Sequence, residues 1–111
     1  MKKTLLVLLT WVVTIAAGNG FTAEKSSFER LLRTRNCPGC NFYKVSFHRI
    51  DLTEVNLRGA NLAYASFREA TLYKADLTGA DLRGTVFDGA IWVDGTICQT
   101  GSVGMCRRKA K

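Results

Sequence analysis

The chain has 111 residues, 16 Lys+Arg against 9 Asp+Glu, a formal charge of +7, and 47% hydrophobic residues. That length allows one domain, and that apolar fraction excludes an intrinsically disordered chain. Both the charge and the strongest apolar run sit at the ends, so the averages describe neither end nor the body.

Met1-Lys2-Lys3 is a short positive segment, and Leu5 to Ala17 (LLVLLTWVVTIAA) is an uncharged apolar run. A helix needs about 20 apolar residues to cross the hydrocarbon of a bilayer, and this run is too short. The pattern is that of a cleaved secretory signal. Small residues favour cleavage after Gly18 or Gly20, while cleavage after Ala23 would put Phe21 at the −3 position. The signal is therefore set at residues 1–20, with the site between 18 and 23, and an uncleaved anchor is the alternative. No cysteine stands directly after the run to carry a lipid. The expected location is periplasmic or secreted, with no membrane span after cleavage.

Removing Lys2 and Lys3 lowers the charge from +7 to +5, and Arg107, Arg108, Lys109 and Lys111 supply four of those charges. Residues 21–106 hold nine acidic and ten basic side chains, a near-neutral body with a basic tail. Nucleic-acid binding requires a basic face on the folded body, so no nucleic-acid partner is expected. The tail is read as a solvated terminus, with a contact to anionic lipid or envelope polymer as the alternative.

Residues 21–39 are expected to form an N-terminal cap. Ser26 and Glu29 have capping-box spacing, and Phe28, Leu31 and Leu32 would lay one apolar face of a short helix onto the next segment.

From Cys40 to Asp94 the chain divides without a gap into eleven pentapeptides, among them ANLAY, ADLTG and ADLRG. The third positions are all large and apolar: Phe42, Phe47, Leu52, Leu57, Leu62, Phe67, Leu72, Leu77, Leu82, Phe87 and Trp92. First positions are small or β-branched, and second positions are mostly Asn, Asp, Ser or Thr. On an α-helix five residues advance about 500°, which scatters the large residues; in a strand an odd period sends half of them to the wrong face. A chain that turns a corner every five residues buries them all, and Asn, Asp, Ser, Thr and Gly suit repeated tight turns.

The units ANL, ADLTG and ADLRG resemble the pentapeptide-repeat proteins, whose consensus is roughly A-(D/N)-L-x-x. The resemblance covers residues 40–94 and implies an all-β fold, a right-handed quadrilateral β-helix with four pentapeptides per coil. Eleven units give about 2.75 coils, ~13 Å tall at strand spacing, with the N-terminal helix as one cap. Residues 95–111 form the C-terminal cap and tail. In that register Phe47, Phe67 and Phe87 share a column. Val86 and Ile91 break the polar second position and Thr85 breaks the alanine pattern, as expected where the last coil becomes a cap. Trp92 is large enough to close the core there.

Cys37, Cys40, Cys98 and Cys106 are even in number and come after an export signal, which reads as a disulfide framework. A stack ~13 Å tall separates the ends, beyond the ~7 Å between Cα atoms that a bridge tolerates. Local pairs, Cys37–Cys40 and Cys98–Cys106, are favoured unless a flank folds back. Cys37-Pro38-Gly39-Cys40 also has the spacing of thiol–disulfide oxidoreductases, but no helical pattern comes after it. A zinc site using all four is weakly supported by spacing.

His48 is the only histidine and has no Ser or Asp partner in a recognisable motif. Its column neighbours are Arg68 and Asp88, with Arg49 and Glu69 beside them. Tyr43, Tyr64 and Tyr73 fall on different columns, so no aromatic platform is expected. The reading is a non-enzyme without cofactors or metal, an exported structural or interaction module whose partner is an unidentified envelope protein or polymer. The alternatives are a DNA-mimicking topoisomerase inhibitor, which the family resemblance raises and the near-neutral body opposes, and a thiol–disulfide oxidoreductase through Cys37 and Cys40.

Overall fold

The computed structural model describes residues 19–108, with side chains from Ser26 onward. The apolar run 5–17 and a cleavage point after Gly18 lie outside the described residues. Helix α1 spans Asn19–Thr34. Ser26 is therefore inside the helix rather than at its N-cap, which corrects the capping-box reading. Thr22, Ala23, Glu24 and Lys25 offer no breaker, so helix continues back past Ser26. It ends where Arg35 enters the left-handed region at φ 61° and donates its amide to the Leu31 carbonyl at 2.7 Å, a left-handed C-terminal stop.

From Asn36 onward the backbone pairs with itself at a constant offset of twenty. Parallel bridges link Asn36 to Asn56, Asn41 to Asn61, Ser46 to Ser66 and Asp51 to Thr71, and continue to Thr71 with Ile91. In each step the third-position amide donates to a second-position carbonyl of the next coil, as Phe42 does to Asn61 at 2.8 Å. The second-position amide donates back, as Asn61 does to Cys40 at 2.9 Å. The β character is thus a set of one-residue bridges rather than long strands, because each side of the coil reaches a corner before a strand can extend.

The corners explain the sequence pattern. Val45 donates to the Phe42 carbonyl at 3.0 Å, and the same third-to-first bond recurs along the chain. The residue at position five has positive φ in every unit from Gly39 to Gly89, between 58° and 74°. That is a type II turn, whose third residue must have φ > 0. Position two holds Asn or Asp because its side chain accepts the amide two residues on, as Asn41 does from Tyr43 at 3.1 Å and Asp81 from Arg83 at 3.1 Å. These are Asx turns that set each corner.

Stacking begins at Asn36, one pentapeptide before Cys40. Cys37 occupies a third position, fully buried, while Pro38 and Gly39 are the two central residues of a corner. Pro pre-sets φ at the first of these and Gly supplies positive φ at the second. The residues 36–39, read from sequence as part of the capping segment, share the coil's own hydrogen bonds: Cys37 donates to Asn56 at 2.9 Å and Gly39 to Arg58 at 2.8 Å.

The interior is filled by the third-position side chains with small first positions between them. Phe42, Phe47, Leu52, Leu57, Leu62, Phe67, Leu72 and Phe87 are essentially inaccessible. Phe47 stacks on Phe67 with centroids 4.7 Å apart, and Phe67 on Phe87 at 5.5 Å. Phe28 of α1 extends this column, 5.4 Å from Phe47. Leu31 is buried beside it, but Leu32 remains exposed, so two of the three expected helix residues face the coil. Leu77, Leu82 and Trp92 are only partly buried, because they lie in the last coil with no full coil above them.

The chain then doubles back over that coil. Val86 pairs antiparallel with Val103 and Ile91 with Ile97. The apolar second positions therefore mark the faces covered by residues 96–104. Thr85, buried, donates its hydroxyl to the Leu62 carbonyl at 2.8 Å, which gives the residue in place of alanine a bond that alanine cannot make.

Candidate functional surface

Both cysteine pairs are local: Cys37 is joined to Cys40 and Cys98 to Cys106. This removes the four-cysteine zinc site. The first pair ties the interior of the first corner. Arg30 of α1 points its Nη2 at both sulfurs, 3.1 Å from Cys37 Sγ and 2.8 Å from Cys40 Sγ. Helix, disulfide and first coil are thereby held as one unit. In thiol oxidoreductases the equivalent pair opens a helix, where the dipole stabilises a thiolate; here it closes a turn and its sulfurs face the core. The second pair holds the C-terminal segment in a loop, with Asp88 accepting the amides of Gly101 and Ser102 at 3.0 and 2.9 Å.

Outside the coil, opposite charges pair from one coil to the next: Arg49 with Glu69 at 2.6 Å and Arg68 with Asp88 at 3.6 Å in two columns, and Arg58 with Asp76 at 3.0 Å on a diagonal. The Arg49 guanidinium holds the Glu69 carboxyl below its ordinary range. For Asp76 the Thr78 hydroxyl and amide come first and Arg58 second, bringing the pKa to about 2. Asp51 and Asp94 are lowered for the same first reason, through Thr53 and Thr96. These are corner-setting carboxylates that act on the backbone.

His48 does stand with Arg68, Glu69, Asp88, Gly89 and Thr100 around an open depression of about 340 Å³. Its carboxylates are already committed, Glu69 to Arg49 and Asp88 to Arg68 and two cap amides. No nucleophile stands beside an orienting partner in this group, which a catalytic site would require. The described residues contain no group of three or more His, Cys, Asp or Glu placed to hold a metal ion.

The tyrosine reading needs correction. Tyr43 and Tyr64 meet edge to face with centroids 5.9 Å apart, and the Lys44 ammonium lies 5.4 Å from the Tyr43 ring. Position four of one coil and position five of the next are diagonal neighbours, a relation hidden when only straight columns are compared. Gly84 above leaves room for the Tyr64 ring. Tyr73 remains apart, beside Lys74 and Gly95.

No helix among the described residues is long and apolar enough to cross a membrane. The family model for pentapeptide repeats matches in eight copies over residues 36–59 and 50–89. Among solved structures the chain is similar to a pentapeptide repeat protein of the cyanobacterium Cyanothece 51142, at 20% identity and TM-score 0.34, covering 60% of this chain and 65% of that one. It is also similar to HetL of the cyanobacterium Nostoc sp. strain PCC 7120, described as a pentapeptide repeat protein involved in heterocyst differentiation regulation. That match has 32% identity and TM-score 0.27, and covers 56% of this chain and 34% of HetL. The chain thus spans just under two thirds of the first neighbour and about a third of the second. No curated protein matches it significantly. Eight matched copies, together with a backbone that pairs every twenty residues through type II corners, place the chain in the pentapeptide-repeat family, a right-handed β-helical family that is generally non-catalytic.

Proposed function

We propose that the protein is an exported, non-catalytic module that presents a small rigid surface to another macromolecule of the cell envelope. The observation that carries this reading is the pair of local disulfides, one at each end of the coil stack. Disulfides persist in oxidising compartments, and a short solenoid gains from having both ends stapled. The apolar run at residues 5–17 supports the same route. Long-range mimicry of DNA calls for a continuous acidic face, whereas here opposite charges pair from one coil to the next.

The test begins with the full chain produced in a bacterium that exports it. The exported form is expected to lack about 18–23 N-terminal residues and to be lighter than its reduced form by four hydrogens. Retention in the cytosol with free thiols would overturn export. A photo-crosslinking residue placed in turn at Tyr43, Arg58, Glu69 and Tyr73 is then expected to give one discrete adduct from at least one position. Absence of any adduct would overturn the interaction role.

A further inference from the structure

The two disulfides stand in different electrostatic surroundings. Arg30 Nη2 carries two hydrogens and lies 3.1 Å from Cys37 Sγ and 2.8 Å from Cys40 Sγ, so one cationic nitrogen donates to both sulfurs of one bond. Its guanidinium enters no ion pair among the described residues. At Cys98–Cys106 the neighbouring cations are turned elsewhere. Arg108 is held by Asp94 at 2.6 Å, and Arg107 Nη1 reaches over Gly101, 3.2 Å from where a Cβ would stand.

The first bridge also lies just under the surface. Arg30 is an exposed residue, and its long side chain covers the bond as a movable lid. Beneath it Cys37 is fully buried, while Cys40 keeps 7% exposure, so an incoming group reaches Cys40 first. The corner does not depend on the bond. Cys37 donates to Asn56 at 2.9 Å, Gly39 to Arg58 at 2.8 Å, and the Cys40 carbonyl accepts Asn61 at 2.9 Å. These main-chain bonds leave the sulfurs out, and the bridge can open with the coil intact.

A cation at the sulfurs acts mainly on one redox state. A disulfide sulfur is neutral and a weak acceptor, whereas a hydrogen bond to an ionised acceptor is about twice as strong. A neighbouring arginine favours thiolate over thiol, and a disulfide whose reduced form is stabilised is the more readily reduced. Cys37 Sγ also lies 3.8 Å from the Ser27 carbonyl, an acceptor that only a thiol can use. Both products of reduction thus have a partner in place: Arg30 for a Cys40 thiolate and Ser27 for a Cys37 thiol.

We propose that Cys37–Cys40 is a reversible redox site, opened in the folded protein by a partner carrying a pair of neighbouring thiols, with Arg30 receiving the departing sulfur. The partner's thiolate attacks Cys40 Sγ, the S–S bond breaks, and its electron pair leaves on Cys37 Sγ beside Arg30. That thiolate takes the proton of the partner's second thiol and donates it to the Ser27 carbonyl. The second thiolate then attacks the partner's own sulfur in the mixed disulfide, and Cys40 leaves as a thiolate paired with Arg30. The partner departs as a disulfide, and two electrons have passed to this chain. The chain is the substrate of the exchange rather than its catalyst, so the pair has no need of a helix N-terminus. This goes beyond the interaction role and does not rest on it.

The test equilibrates the disulfide-bonded protein with mixtures of reduced and oxidised dithiothreitol, traps thiols by alkylation and maps them by mass spectrometry. Cys37 and Cys40 should be trapped at a reduced-to-oxidised ratio roughly tenfold lower than Cys98 and Cys106, equivalent to about 30 mV. Amide exchange from Phe47 to Ala90 should stay slow at that ratio. Arg30→Gln and Arg30→Ala should each raise the ratio required by roughly tenfold, and Arg30→Lys should recover part of the difference. In the reduced protein iodoacetamide should modify Cys40 before Cys37, with a pH midpoint below the ordinary thiol value of about 8.5, and Arg30→Gln should abolish that displacement. Reduction of both bridges together with loss of amide protection would overturn the proposal. So would a ratio that neither neutral variant raises, or alkylation of Cys37 first.

Discussion

Tyr64 and Gly84, twenty residues apart, share one site on the outer wall: a Cβ at Gly84 would collide with the Cδ1 and Cε1 atoms of the Tyr64 ring. Gly84 also has φ 70°, while Gly79, at φ 74°, has only the Gly59 backbone nearby at 3.8 Å. Gly79→Ala is expected to cost about 1 kcal/mol from backbone conformation alone. Gly84→Ala should cost more, and the excess should vanish in a Tyr64→Ala background. Urea unfolding of the four-member mutant cycle measures this coupling, expected at roughly 0.5–1 kcal/mol.

Ala70 is fully buried at a first position, and its amide donates to the Phe67 carbonyl at 3.0 Å. A larger side chain there has no space to enter, and overpacking of a tight core costs about 1–3 kcal/mol. Ala70→Leu should lower the melting temperature, whereas His48→Leu, at an exposed fourth position, should lower it less. An Ala70→Leu protein as stable as the parent would refute the inward orientation of first positions.

Acid should loosen the corners. Asp76 has its pKa lowered from 3.8 to about 2 through Thr78 and Arg58, and Asp51, Asp81 and Asp94 move the same way. A carboxyl whose folded pKa lies below its unfolded value stabilises fully above the unfolded value and loses that contribution as pH falls through the folded one. The urea midpoint is therefore expected to hold above about pH 4 and to decline between about pH 4 and 2. Thr78→Val should reduce the decline by removing the largest cause at Asp76. A midpoint flat across that range would show that these carboxylates do not couple to folding.

The repeat was legible because one geometric fact, a corner every five residues, is written at every unit in the size of position three. The stacking offset was legible too, since Phe47, Phe67 and Phe87 recur at twenty. What the sequence concealed has local causes. Asn36–Gly39 lacks a large third residue, so a disulfide-bonded Cys37 filling that position did not register as a repeat. Ser26 and Glu29 have the spacing of a cap, but nothing before them breaks the helix. Tyr43 and Tyr64 meet on a diagonal, which a column-by-column reading omits. The reach of Arg30 to both sulfurs could not be read at all, because it depends on how α1 lies against the first coil.

Every backbone hydrogen bond between coils joins residues 19 or 21 apart, as in Leu57 to Asp76 and Asp76 to Val55. Sheet proteins usually fold slowly because distant strands must find one another. Here each new turn of chain meets its template in the twenty residues just before it. The stack can therefore be laid down in the order in which the chain is synthesised, from the Arg30-bound first corner onward. Residues 96–106 come after the last unit, and the Cys98–Cys106 bridge holds that segment as a loop over the finished coil.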